Sequence, residues 1–146
     1  MRWRLCLCMA TLPLKHLTVN SGYGKRIHPI TGRSSYHTGV DLKARNDTVY
    51  AVLEGTVCQV AYDPALGIYL SLDHGNRIET LYGHLSYPLV RPNDSIRAGR
   101  PIAITGATGR VTGEHLHFSV RCRGKYVNPI KFLHQIISKH GQQQKI

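Results

Sequence analysis

The chain has 146 residues, which suits one domain and is too short for a barrel-type metal enzyme of about 250 residues. Its 42% hydrophobic content, with 14 glycines, 7 prolines and 8 tyrosines, is typical of a turn-rich, mainly β domain. The formal net charge of +11 indicates a polyanionic neighbourhood, which nucleic acid, anionic wall polymers or phospholipid would each provide. Because the basic residues are scattered rather than clustered in a run, we predict no dedicated nucleic-acid site.

An N-terminal segment, residues 1–16, precedes the part of the chain that has strand and turn patterns. Its basic start and short apolar run resemble a weak signal sequence, although Pro13 and Lys15 interrupt the run. Export through this segment and export by another route both stay open. No other stretch approaches the ~18 apolar residues of a membrane span. We predict one domain over residues 17–138 and a polar tail over residues 139–146.

Short strands and turns alternate through the first half of this domain. A strand over residues 17–19 leads into a Gly-, Pro- and Ser-rich loop over residues 21–33, of the kind that often borders a functional site. Residues 49–53 and 56–62, joined by a Glu-Gly turn, predict a β-hairpin.

The second half continues the pattern and ends in a helix. Further strands are predicted over residues 68–72 and 77–84. Asn128 is a good N-cap and Pro129 suits the first helical position, so we predict a short helix over residues 129–138.

Two histidines alternate with apolar residues in the stretch Gly-Glu-His-Leu-His-Phe-Ser-Val, residues 113–120. This alternation predicts a half-buried strand, on which His115 and His117 share one face and Glu114 points to the other. Glu114 is therefore not a candidate base for chemistry at the two histidines. A surface strand that carries two histidines by chance is the alternative interpretation.

A second stretch places His37 and Asp41 four residues apart. Because Gly39 and Val40 disfavour a helix, we interpret this spacing as one face of another strand. Two imidazole nitrogens and one carboxylate oxygen are a plausible ligand set for a catalytic zinc ion, with the fourth position open for water. The helical His-Glu-x-x-His signature is absent, so such a site would be carried by strands.

Four ordered motifs resemble one known family. They are Ser-Gly-Tyr-Gly-Lys-Arg-Ile-His-Pro-Ile-Thr-Gly at residues 21–32, His-x-x-x-Asp at residues 37–41, Leu-Tyr-Gly-His-Leu-Ser at residues 81–86, and Thr-Gly-Arg-Val-Thr-Gly-Glu-His-Leu-His-Phe at residues 108–118. Together they resemble the M23 (lysostaphin/LytM-like) zinc endopeptidases of bacterial cell walls, over residues 17–132.

The resemblance implies a role for each of five residues. His37, Asp41 and His117 match the zinc ligands of the family, with one Zn²⁺ per chain, and His84 and His115 match its two catalytic histidines. The sequence departs from the usual pattern elsewhere. It has Asn-Asp-Thr-Val at residues 46–49 in place of Gly-Thr-Pro-Val, and a serine in place of an acidic residue directly after the last motif. Neither departure falls on a ligand or catalytic position.

The resemblance further implies a single-domain, mostly antiparallel β-sheet with a substrate groove and a short C-terminal helix. The implied activity is hydrolysis of peptide bonds in peptidoglycan stems or cross-bridges, in the cell envelope, periplasmic or secreted. We expect a monomer, and the +11 net charge predicts that anionic wall polymers help to retain it. Two alternatives are a non-catalytic relative that binds wall or regulates, and a basic nucleic-acid-binding protein with an incidental zinc site. The enzyme is favoured over the first because all five positions are filled.

Overall fold

The computed structural model describes residues 9–27 and 31–141. Within them, the strands are β1 (Val19–Ser21), β2 (Gly24–Ile27), β3 (Ser34–His37), β4 (Val40–Lys43), β5 (Thr48–Tyr50), β6 (Gly55–Asp63), β7 (Gly67–Asp73), β8 (Ile78–Pro88), β9 (Ser95–Ile96), β10 (Pro101–Thr105), β11 (His115–Cys122) and β12 (Lys125–Val127). One helix, α1 (Pro129–Gly141), follows the last strand.

Ten of the strands form one antiparallel sheet. Its main order is β1-β4-β11-β8-β7-β6-β9, with β10 bridging β8 and β5, and β12 paired with β11. Strands β2 and β3 form a separate two-stranded sheet. The prediction of a mostly antiparallel β fold with a short C-terminal helix is confirmed.

The central strands β4 and β11 bury one face in the core. Leu42, Leu116 and Phe118 have no exposed side-chain surface. Burial of side chains of this size stabilises the fold by about 1.5–3 kcal/mol each, which fixes the register of both strands. Because neighbouring residues on a strand point to opposite faces, this packing turns Asp41 and His117 towards the other face of the sheet.

The predicted hairpin between residues 49–53 and 56–62 is wrong. Strand β5 pairs with β10, and β6 pairs with β7 and β9. The chain between β5 and β6 is held instead by Gly99 and Arg100, through hydrogen bonds with both backbone groups of Ala51. Ala51 and Val52 are fully buried, so this segment passes through the core.

Three other boundaries differ from the prediction. The predicted loop over residues 21–33 contains β2, which pairs with β3 and forms a hairpin beside the sheet. Strand β8 continues through Pro88, beyond the predicted end at residue 84. The helix runs to Gly141, and its predicted N-cap is confirmed because the Asn128 side-chain oxygen accepts hydrogen bonds from the backbone of Ile130 and Lys131, at 3.0 and 3.3 Å.

The predicted weak signal sequence falls partly on residues 1–8, and the predicted tail partly on residues 142–146, both outside the described residues. Residues 11–14 pack on the sheet: the Thr11 and Tyr50 amides donate to the carbonyls of Val52 and Pro13, and Leu14 joins the core. Over residues 9–27 and 31–141, no helix is long and apolar enough to cross a membrane.

Candidate active site

Four strands bring the five candidate residues to one place. His37 ends β3, Asp41 lies on β4, His84 lies on β8, and His115 and His117 lie on β11. Strand β11 runs between β4 and β8, and its register sets His117 opposite Asp41 on one side and opposite Gly83 on the other. The predicted shared face of His115 and His117 is therefore observed, and it carries Asp41 as well. The prediction that His37 and Asp41 lie on one strand is wrong. The chain bends at residues 38–39, so that β3 and β4 belong to different sheets and the two side chains meet across that bend.

Three atoms converge at the centre of the site. Asp41 Oδ1 lies 3.3 Å from His37 Nε2 and 3.2 Å from His117 Nδ1. The two imidazole nitrogens lie 3.4 Å from each other. The His37 ring is oriented by its other nitrogen, because Nδ1–H donates to the Gly22 carbonyl at 2.9 Å and leaves the Nε2 lone pair facing Asp41.

The separations of these atoms fit a zinc ion. With Zn–N and Zn–O bonds of about 2.0–2.1 Å in a tetrahedron, neighbouring ligand atoms lie roughly 3.3–3.4 Å apart. All three observed separations fall within 0.2 Å of that range, and the three residues form a group able to hold a metal ion. His37 and His117 are 8% and 7% exposed, so the donors converge in a mostly enclosed position.

The charge state of Asp41 suits a metal ligand. Burial acts to raise its pKa, but the ring nitrogens of the three surrounding histidines close to the carboxylate outweigh burial and hold the pKa well below its usual range. The second carboxylate oxygen, Oδ2, lies 4.0 Å from the guanidinium of Arg26 on β2. The sequence offered no signal for this contact beyond the motif itself, because β2 belongs to a segment that was predicted as loop.

His84 occupies an irregular point of β8. Its backbone φ is +58°, a left-handed conformation that is uncommon for residues other than glycine and often marks a functional position. The backbone there leaves the regular ladder, since the His84 amide donates to the Leu66 carbonyl at 2.7 Å. The ring donates from Nδ1 to the Thr108 carbonyl at 2.8 Å, so Nε2 is its free nitrogen. Burial lowers the pKa of His84, and the bond to Thr108 opposes that effect.

His115 lies between His84 and the carboxylate. Its Nε2 is 3.4 Å from Asp41 Oδ1, and its ring centroid is 4.7 Å from that of His84. Nδ1 donates to the Gly113 carbonyl at 3.0 Å, which again leaves Nε2 facing the site. The hydrogen bond to Asp41 raises the pKa of His115, against the opposing effect of burial.

Glu114 is tied to the chain that follows β4. Its Oε1 accepts a hydrogen bond from the Asn46 backbone at 2.7 Å. This contact agrees with the expectation that Glu114 is not the base.

The histidines and Asp41 open into a cleft of about 660 Å³. One wall comes from Asn20, Ser21 and Arg26, and the other comes from Leu66 and residues 110–114. The floor is the polar face of the sheet. An extended chain laid along such a groove would pass over the candidate site.

Comparison with known proteins gives consistent matches. Residues 35–129, which include all five candidate residues, match the sequence profile of Peptidase family M23. The peptidoglycan DD-endopeptidase ShyB of Vibrio cholerae is 40% identical over 115 residues, which are 77% of this chain and 27% of ShyB. The chain thus spans about a quarter of the length of the curated relatives it matches.

Solved structures agree with the fold. A zinc-containing peptidase from Vibrio cholerae is 38% identical with a TM-score of 0.78, over 83% of this chain and 39% of that one. The catalytic domain of the antimicrobial peptidase lysostaphin from Staphylococcus simulans is 27% identical with a TM-score of 0.71, over 80% of this chain and 92% of that domain.

Proposed function

Because the chain belongs to Peptidase family M23, we propose that it is a zinc-dependent endopeptidase that cuts peptide bonds in peptidoglycan. The observation that carries the proposal is the convergence of His37 Nε2, Asp41 Oδ1 and His117 Nδ1, with two further histidines beside them in an open cleft. The V. cholerae relative that is named as a peptidoglycan DD-endopeptidase supports this substrate class. A peptidoglycan substrate puts the site of action at the cell wall.

His37, Asp41 and His117 would hold the zinc ion. When bound, zinc supplies Lewis-acid chemistry, polarising a carbonyl oxygen and lowering the pKa of water towards ~7. The residues of the chain orient this chemistry. The Gly22 carbonyl fixes the tautomer of His37, and Gly83, opposite His117, leaves the floor of the cleft without a side chain at that point.

His84 and His115 would handle protons and developing charge. Each donates its Nδ1–H to a backbone carbonyl, Thr108 or Gly113, and each therefore turns Nε2 towards the cleft. One of them takes a proton or stabilises the oxyanion, and the other delivers a proton to the leaving amine. Positioned groups of this kind contribute ~10²–10⁴ in rate.

Zinc loading and amine release test the proposal together. Zinc-loaded protein is incubated with purified peptidoglycan, and new free amino groups are counted with an amine-reactive reagent. We expect amines to appear, to stop on addition of a chelator, and to resume when zinc is restored. His134→Ala is the matched control, because this histidine is exposed on α1 and is not among the residues that line the cleft.

The same experiment separates the alternatives. Stoichiometric zinc and tight binding to peptidoglycan without amine release would identify a non-catalytic wall-binding module. Absence of zinc after supplementation would contradict the metal site itself.

A further inference from the structure

A second depression adjoins the cleft. It encloses about 890 Å³ between β4, the turn after it and residues 14–20. Asn20 and Glu114 line both the depression and the cleft, so the two adjoin along these residues. A peptide that crosses the candidate site has a path into this depression.

Lys43 lines this depression on the strand that also carries Asp41. It pairs with His115 across β4 and β11, and it is two residues from Asp41 on the same strand. Residues two apart share a face, so Lys43 is on the same face as the candidate site. Its Cα is roughly 6–7 Å from that of Asp41 along the strand. The side chain is exposed, and Lys43 is held in place by its backbone amide, which donates to the Thr18 carbonyl at 2.8 Å.

The depression is lined by three cationic side chains and two carboxylates, and the cationic groups are the ones without an ion-pair partner among the described residues. Lys15, Lys43 and Arg45 line it and are exposed, and none of them forms an ion pair within residues 9–27 and 31–141. Two carboxylates also line it, but each already accepts a hydrogen bond from the turn. Asp47 accepts a hydrogen bond from the Arg45 backbone amide at 2.8 Å, and Glu114 accepts one from the Asn46 backbone amide.

Resting on the proposed peptidase function, we propose that Lys43, with Lys15 and Arg45 beside it, binds a free carboxylate of the peptide substrate about two residues from the bond that is cut. An extended chain advances about 3.3–3.6 Å per residue, so the distance along β4 from the candidate site to Lys43 equals about two residues. A carboxylate is the group that unpaired lysine and arginine side chains pair with in a peptide. Lys43 is thus a specificity-determining residue of the groove.

The test uses peptides with and without the charge. The bond that the zinc-loaded enzyme cuts in peptidoglycan is first identified by mass spectrometry. Short synthetic peptides that contain this bond then carry Glu or Gln at the second residue on either side. On one of the two sides of the cut bond, we expect kcat/KM to be about threefold to fivefold higher for the Glu peptide than for the Gln peptide. A difference of this size corresponds to one favourable exposed ion pair. The preference should lie in KM, since the contact is remote from the reacting atoms.

Variants of Lys43 assign the preference. Lys43→Gln should reduce the Glu-over-Gln ratio to less than half its wild-type value. Lys43→Arg should keep the ratio. Lys43→Glu should invert the preference, so that a peptide with Lys at that position becomes the better substrate. Lys131→Gln, which removes an exposed lysine from α1, is the matched control and should leave every ratio unchanged.

The outcomes distinguish this inference from the proposed function. If peptidoglycan is cut but wild-type enzyme and Lys43→Gln give the same Glu-over-Gln ratio, Lys43 does not bind the carboxylate and the inference is overturned. If all variants including Lys43→Glu keep one common preference, the charge is recognised elsewhere and the inference fails equally. If no substrate is cut by the zinc-loaded protein, the proposed function fails first.

Discussion

Gly39 offers the sharpest test of how the site is built, because it contacts a proposed ligand without being one. A Cβ added at this position would lie 2.4 Å from the Phe118 carbonyl oxygen and 2.9 Å from Cε1 of the His117 ring. Since a carbon and an oxygen atom need more than 3 Å, either β11 or the chain at residue 39 must move by up to about 1 Å. Gly39→Ala therefore moves His117 relative to Asp41.

Two costs are expected from Gly39→Ala. Overpacking against the β11 backbone should lower the free energy of unfolding by about 1–3 kcal/mol, measured by urea denaturation of the zinc-free protein. Displacement of the His117 ring should weaken zinc binding by about 10–100-fold, as loss of supporting contacts around metal ligands typically does. A competing fluorescent chelator measures the zinc dissociation constant.

Gly22→Ala is the matched control for Gly39→Ala. Gly22 also touches a proposed ligand, since its carbonyl accepts from His37. Among the described residues other than its chain neighbours, however, no atom lies within 4 Å of an added Cβ. Its zinc affinity and stability should stay close to wild type. If Gly39→Ala changed the free energy of unfolding by less than 0.5 kcal/mol and left zinc affinity intact, the close approach of the two strands would not position His117.

Three further predictions concern the site, the surface charge and a half-buried histidine. His117→Ala should lose zinc, whereas His115→Ala and His84→Ala should keep it and lose turnover by ~10²–10⁴, so elemental analysis combined with amine release separates ligands from catalysts. Binding to sacculi should weaken steeply with salt because of the +11 net charge, whereas cleavage of a small neutral peptide should change little with salt. Equal salt sensitivity of the two would contradict a role of the net charge in wall binding. Burial lowers the pKa of His74, so the folded state binds fewer protons than the unfolded state, whose histidine pKa is about 6.5. The free energy of unfolding should thus fall as pH drops below ~6.5, more steeply in wild type than in His74→Gln, and parallel pH curves for the two proteins would refute this.

The alternation of polar and apolar residues on a strand predicts which side chains share a face, and this part of the site could be predicted from sequence. On β4 and β11, polar and apolar residues alternate strictly, and only one register buries Leu42 and Leu116. That register brings Asp41 opposite His117. The shared face of His115 and His117 was therefore predictable from spacing alone, whereas the pairing of the two strands was not predicted.

The failed hairpin shows where local patterns stop. A short apolar run before a Glu-Gly pair has the composition of a hairpin, and its sequence contains no signal for a partner fifty residues away. The partner β10 is decided by burial, because Val49 and Ile102 are both fully buried in the common core. Non-local pairing of this kind is a property of the whole chain, and propensity within a window does not report it.

His84 was out of reach of sequence patterns for a different reason. Its left-handed backbone is expected of glycine, asparagine or aspartate, and nothing in Leu-Tyr-Gly-His-Leu-Ser marks the histidine as the residue that adopts it. Tertiary contacts impose the conformation: the amide of His84 bonds to Leu66, and its carbonyl accepts from Gly106. Only the family resemblance pointed to His84.

The loops that form the walls of the cleft also decide which nitrogen each histidine presents. The carbonyls of Gly22, Thr108 and Gly113 each accept from the Nδ1–H of one histidine, so that Nε2 faces the cleft in all three. His117 is different, since its Nδ1 faces Asp41. The strands therefore set where the rings stand, while the loops set the tautomers and thereby the atoms available for binding or proton transfer. A loop change that moves one of these carbonyls would alter the chemistry of a histidine far from it in sequence, so groove shape and reactivity are coupled in this fold.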